Sequence, residues 1–168
     1  MSVQRSDVLI IGGGLMGAST AFFLRRRGVS VTVLERGLVG QQASGTNFGN
    51  VRRQARHLKQ LPLANRAHAV WGKLPELIGE DVEFLRSGHI RVAYIPEQVA
   101  VMEKYALDAR EYGLDLEMIS GQRMRDRYPF LGREVLAASL SPDDGHANPR
   151  LAAPAFARAA IRGGAQIF

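Results

Sequence analysis

The sequence predicts an α/β fold: a Rossmann-like βαβ unit with part of an α+β domain inserted. Three observations predict it. The apolar run Val8-Leu9-Ile10-Ile11 leads into a glycine-rich turn and a helical stretch, then into a second β-branched run that stops on an acid. From Val82 the pattern changes to short runs separated by turns, which suits antiparallel strands. Near the end, a small-residue helix runs into Ala165-Gln166-Ile167-Phe168, the candidate third strand of the parallel sheet.

The first element reads as a parallel strand buried on both faces. Gly12, Gly14 and Gly17 then give the spacing G-x-G-x-x-G, ahead of a helix predicted from about Met16 to Arg27 and closed by Gly28. Gly12 permits the tight turn off the strand. Gly14 lets the backbone approach a pyrophosphate, and Gly17 lets the helix pack closely on the strand. The helix N-terminus then presents N–H groups and a positive dipole end to phosphates. The second strand, predicted over Val29 to Leu34, stops at Glu35, 18 residues past Gly17. A carboxylate there accepts hydrogen bonds from ribose hydroxyls and repels a ribose 2′-phosphate, so NADP is disfavoured. This first βαβ unit fits NAD and FAD alike.

Residues 36–50, RGLVGQQASGTNFGN, are polar and glycine-rich, long for an idle connection and suited to a binding loop. A basic cluster, 51–57, precedes a helix predicted from about Pro62 to Leu77, with Val70, Leu74 and Leu77 as its apolar stripe and Trp71 as packing. Runs 82–85 and 89–94 read as two strands joined at Ser87-Gly88 and paired antiparallel. Pro96 opens a helix to about Tyr112, closed by Gly113. A strand over 116–119 follows, then a short helix capped by Ser120 and ending before Pro129. A strand over 136–140, a turn-rich loop over 141–149 and a helix over 150–162 complete the order, and Gly163-Gly164 stops the last helix. The predicted domains are 1–80 (around the glycine turn), 81–141 (antiparallel strands plus a helix) and 142–168 (return to the first).

The 168 residues are enough for a core, and the chain carries a formal charge of +6, mostly from arginine. Cysteine is absent, so no disulfide framework, thiolate metal site or thiol nucleophile is available. No apolar run approaches the roughly 20 residues of a membrane span, and no signal-peptide pattern precedes the first strand, so the cytosol is the expected compartment. The basic balance comes without an RNP, zinc or helix-turn-helix pattern, and nucleic acid is not an expected partner. Histidines are scattered without ligand spacing, so no metal site is expected.

Three stretches, IIGGGLMGASTAFFLRRRGVSVTVLER, ASGTNFGNVRRQ and SPDDGHANPRLAAPAFARAA, resemble in this order the FAD-dependent amine oxidoreductases. That family includes D-amino-acid oxidase, glycine oxidase and sarcosine oxidase, and the middle stretch is most similar to its sarcosine oxidase beta-subunit and opine oxidase branch. The resemblance covers essentially all of the chain but only about the first half of a typical member. It implies FAD as cofactor, with Gly12, Gly13, Gly14 and Gly17 at the pyrophosphate and Glu35 at the adenosine ribose. Arg36 would lie on the adenine side, and Ser44, Asn47, Gly49 and Asn50 would line the pyrophosphate and flavin. Arg52 or Arg53 would stabilise negative charge on the reduced ring.

The resemblance also implies an amino acid or secondary amine as substrate, oxidised at its C–N bond, and partner subunits in some members. Some relatives attach FAD through a histidine or cysteine. With cysteine absent, only a histidine remains, and neither His57 nor His89 lies in a matching motif. His146 falls in a turn. A catalytically silent truncated subunit or binding module, and an NAD-binding dehydrogenase domain, are the alternative readings.

Overall fold

A computed structural model describes residues 5–168. In chain order the strands are β1 (Val8–Ile11), β2 (Val31–Leu34), β3 (Asn50–Val51), β4 (His89–Ala93), β5 (Glu117–Ser120), β6 (Ala137–Ser141), β7 (Gly145–His146) and β8 (Gln166–Ile167). The helices are α1 (Leu15–Arg25), α2 (Leu61–Trp71), α3 (Leu74–Ile78), α4 (Pro96–Arg110), α5 (Gly121–Arg127) and α6 (Pro149–Arg162). They form two compact units. One consists of the described residues up to Asn50 together with Lys73–Phe84 and Ala147–Phe168; the other is Val51–Gly72 with Leu85–His146. Residues 51–72, assigned from sequence to the first domain, thus cluster with the inserted unit.

In the first unit, β1, β2 and β8 form a parallel sheet in that order, with Val8 opposite Val31 and Val33 opposite Ile167. The final run is therefore the third strand, on the far side of β2. Alanines make the helical layer thin: α1 buries Ala18, Ala21 and Phe22, and α6 buries its alanines with Phe156. Phe22 meets Phe156 edge-on at 5.7 Å between ring centroids. Arg25 Nε donates to the Gly163 carbonyl at 2.7 Å, tying the end of α1 to the end of α6. Asn148 caps α6, its side-chain oxygen accepting from Arg150 N at 3.0 Å. The expected two-sided burial of β1 does not hold. Leu9 and Ile11 alternate away from the core face, and Ile11 is 85% exposed.

The second unit holds an antiparallel sheet in the order β4-β6-β5, with His89 opposite Ser141 and Ala93 opposite Ala137. Ile119, Met124, Val135, Ala138 and Leu140 pack with Ile90 and Val92 in one cluster. Leu61, Ala106, Ala109, Leu114 and Leu116 form another, joining α2 to α4.

Three further expectations are corrected. The helix over 62–77 is two helices, α2 and α3. Gly72 caps the first, and Pro75 has no N–H to offer the Trp71 carbonyl one turn back, so the hydrogen-bond ladder cannot continue. Residues 82–85 are not a strand paired with 89–94. Glu83 takes φ +57° and its N–H bonds the Asp81 carboxylate at 2.8 Å, which breaks the extension. Leu85 instead pairs with His146, an approach that needs a glycine: a Cβ on Gly145 would stand 1.9 Å from the Leu85 carbonyl oxygen. Ser120 occupies the N-cap of α5, but its side chain makes no capping bond.

Candidate functional site

The glycine turn of the first unit is held from several sides. Gly12 N donates to Leu34 O at 2.8 Å, joining the turn to the end of β2. Gly12 takes φ +102°, and a Cβ there would face open space. Gly17 is the opposite case: a Cβ would lie 2.0 Å from the Gly12 carbonyl oxygen, so only glycine lets α1 seat this close to the turn. Gly13 N donates to Glu35 Oε2 at 2.7 Å, and Gly37 N donates to Glu35 Oε1 at 2.9 Å. Those N–H groups, Gly13 first, hold the Glu35 carboxyl below its ordinary range. Glu35 thus links the turn to the tip of β2, and a carboxylate with about four lone-pair sites can still accept from ribose hydroxyls.

The loop after β2 closes against the same turn. Ser44 Oγ accepts from Leu15 N at 2.9 Å at the start of α1, and Gly40 N donates to Gly13 O at 3.1 Å. Asn47 shapes the loop itself, donating to the carbonyls of Ala43 and Ser44 and accepting from Gly49 N at 2.7 Å. Gly49 has φ +70° and is crowded by the Ala147 carbonyl, while Asn50 is exposed. Beside the turn lies an open cleft of about 630 Å³ lined by Ile11, Gly12, Leu34, Glu35, Arg36, Gln42 and Phe168. Its position at the carboxyl ends of parallel strands is where nucleotides bind in such sheets. Sequence reasoning missed Ile11, Gln42 and Phe168. Phe168 follows the short β8, and only the parallel pairing of that strand with β2 brings it to Glu35, whose N–H donates to Phe168 O at 2.7 Å.

The residues fit an FAD dinucleotide end. The cleft lining includes the apolar Ile11, Leu34 and Phe168, the Glu35 carboxylate lies beside the turn, and no atom stands within 4 Å of a Cβ placed on Gly12.

The second unit separates the two arginines that the sequence left as alternatives. Arg53 Nε donates to Asp144 Oδ1 at 3.0 Å, and the N–H groups of Arg53 and Gln54 both donate to Asp144 Oδ2 at 2.9 Å. Asp144 is wholly buried. Arg52 has no carboxylate partner among the described residues and donates to the Gln54 carbonyl. Gln54, 1% exposed, donates through Nε2 to the Ser139 carbonyl at 3.1 Å and to its hydroxyl, while its Oε1 lies 3.1 Å from His89 Nδ1. Asp144 escaped sequence reasoning because an Asp-Asp-Gly run reads as turn chemistry. His57 Nδ1 accepts from Lys59 N at 3.3 Å, and His146 Nδ1 meets Ser87 Oγ at 3.0 Å, so each has a local role. Among the described residues no helix is long and apolar enough to cross a membrane.

Comparison with known proteins bears out FAD, the cofactor that the resemblance implies. A subunit of the opine oxidase of Rhizobium meliloti is 32% identical over 84% of the chain and 41% of the relative. The mitochondrial pyruvate dehydrogenase phosphatase regulatory subunit of Mus musculus is 27% identical over 98% of the chain and 19% of the relative. The solved structure of glycine oxidase from Geobacillus kaustophilus superimposes with a TM-score of 0.90 at 27% identity, over 99% of the chain and 47% of that structure. The chain spans less than half the length of each. The model of the DAO family, described as FAD dependent oxidoreductase, matches residues 7–168, and the chain belongs to that family.

Proposed function

We propose that the chain works within an FAD-dependent oxidoreductase that oxidises the C–N bond of an amino acid or secondary amine. The observation that carries the proposal is the bond that Gly13 N donates to Glu35, which builds a ribose acceptor into the pyrophosphate turn. FAD, when bound, supplies the chemistry by accepting a hydride equivalent; the protein orients the substrate and sets the charge around the ring. Gly12, Gly13, Gly14 and Gly17 hold the pyrophosphate, Glu35 the ribose and Arg36 the adenine side. Ser44, Asn47, Gly49 and Asn50 shape the loop beside it. Arg52 is the better placed of the two arginines to meet negative charge, since Arg53 is committed to Asp144. The names of the opine oxidase and glycine oxidase relatives support an amino-acid or amine substrate, and the first of them supports partner subunits. We assign the protein to the cytosol.

A second reading, a catalytically silent subunit, is favoured by the bare sheet face at Leu9 and Ile11 and by the regulatory subunit among the relatives. Parallel sheets are ordinarily covered on both faces, so further polypeptide is needed there. One experiment separates the readings. The flavin-loaded protein is mixed anaerobically with sarcosine, a D-amino acid or an opine while the visible flavin band is followed. Bleaching by one of them supports the enzyme. A spectrum unchanged by all three, yet bleached by dithionite, favours the silent subunit.

A further inference from the structure

We propose that His89 acts through Gln54 as a positioning residue for Arg52, and that its protonation releases the loop over residues 52–56. That loop is held under strain. Ala55 takes φ +60°, a left-handed conformation that an alanine keeps only where its surroundings impose it. Ties stand on either side of it. Before it, the N–H groups of Arg53 and Gln54 donate to Asp144 Oδ2, and the buried Gln54 side chain reaches Ser139 on β6 and His89 on β4. After it, Tyr105 OH of α4 donates to the Arg56 carbonyl at 2.9 Å, and Arg56 N donates to the Arg53 carbonyl at 3.2 Å. Arg52 is fixed from the same hub, since its guanidinium donates to the Gln54 carbonyl.

Gln54 sets one tautomer of His89. The Ser139 carbonyl can only accept, so Gln54 Nε2 faces it. Gln54 Oε1, 3.1 Å from His89 Nδ1, must then accept from a protonated Nδ1. Nε2 is the titrating nitrogen, and among the described residues it has no hydrogen-bond partner. The charges that face the ring are Arg52 from the loop, Arg91 from β4 and Asp144 from the turn after β6. Asp144 is paired with Arg53 at 3.0 Å. Tyr105 of α4 lies in the field of Arg52 and Arg91 too, and stays neutral because burial raises its pKa. Proton uptake at Nε2 keeps the bond to Gln54 but adds a third positive charge beside the two arginines. Burial first, and then Arg52, outweigh that bond and the opposing pull of Asp144, and they hold the His89 pKa below 6.5. A charged His89 therefore favours a loop in which the ring and Arg52 part and Ala55 relaxes.

The test concerns the loop alone and needs no flavin, so it stands or fails apart from the oxidoreductase reading. Amide hydrogen exchange of Arg53 and Gln54 is followed by NMR in the 168-residue chain, each rate divided by that of an unstructured chain at the same pH. Their protection should fall below pH 6.5, approaching about tenfold per pH unit until folded His89 is itself charged. The amides of α4 report opening of the whole unit and should stay more protected throughout. His89→Asn, whose amide donates to Gln54 without titrating, should keep the loop protected at every pH. His89→Ala lacks the donor and should expose the loop at neutral pH; where it fails to fold, the asparagine variant and the wild type decide. Arg52→Met removes one repelling charge and should shorten the pH span of the loss. Wild-type protection that does not fall with pH overturns the proposal, as does a loss shared equally with α4. So does a His89→Asn loop that still loses protection, a folded His89→Ala chain that keeps it, or a span unchanged by Arg52→Met.

Discussion

At the scale of single residues, Gly17 and Gly12 answer different needs. Gly12 adopts φ +102° beside open space, whereas Gly17 has ordinary backbone angles but no room for a methyl group. Gly17→Ala therefore forces α1 off the turn, since its Cβ would stand 2.0 Å from a backbone oxygen. The expected cost is about 1–3 kcal/mol of stability, the usual range for overpacking a tight contact. Urea denaturation gives that number, and FAD titration of the still-folded fraction should show weakened uptake. Unchanged stability would mean that α1 does not need this close approach. The same two glycines mark what could be read in advance. Their spacing gave the turn, and Glu35 its partner, because both follow from local sequence. Arg53, Gln54 and Asp144 did not declare themselves, because the bonds between them span about ninety residues and leave no local pattern.

Among the elements, α6 depends most on its start. It buries small residues along most of its length, so its packing tolerates little rotation, and Asn148 sets the first turn. The Asn148 side chain also donates through Nδ2 to Glu83 at 2.9 Å, and its N–H donates to Val82 O at 2.9 Å. Asn148→Ala should cost about 1 kcal/mol, typical of a lost N-cap, with more from the Glu83 bond; thermal unfolding by circular dichroism measures it. A melting point within error of wild type would show that α6 is fixed by packing alone. Strand and helix order was legible because hydrophobic period and punctuation by glycine and proline report local preference. The break between α2 and α3 was foreshadowed by Gly72 and Pro75, which an otherwise continuous apolar stripe concealed. The partner of Leu85 was not legible, since it hinges on one glycine sixty residues away.

For the whole molecule, pH below neutrality acts through carboxylates and a histidine whose pKa values folding lowers. Gly13 N–H lowers the Glu35 pKa, and the bond from Arg158 lowers that of Glu80; each is depressed from 4.5. These carboxylates contribute stability that is present above 4.5 and lost as pH falls through their lower folded values. Burial depresses His89 from 6.5, so the unfolded chain takes up that proton first. Stability should thus begin to fall as pH drops below 6.5, and the carboxylates add to the loss below 4.5. His89→Gln should remove the decline that begins below 6.5 and leave the carboxylate contribution, in urea titrations at stepped pH. A His89→Gln profile identical to wild type between those values would assign the decline elsewhere.

The two units are interleaved along the chain, with crossings after residues 50, 72, 84 and 146. The ribosome emits the glycine turn well before the strand that flanks β2 on its far side, with Thr32 meeting Gln166. Newly made β2 must therefore wait for its second neighbour while more than a hundred residues are added. The inserted unit closes earlier, once β6 is available to lie between β4 and β5. Such long-separation pairing slows folding and prolongs exposure to aggregation. Synthesis rate and chaperone supply, rather than final stability, would then govern how much of this polypeptide survives to meet its flavin.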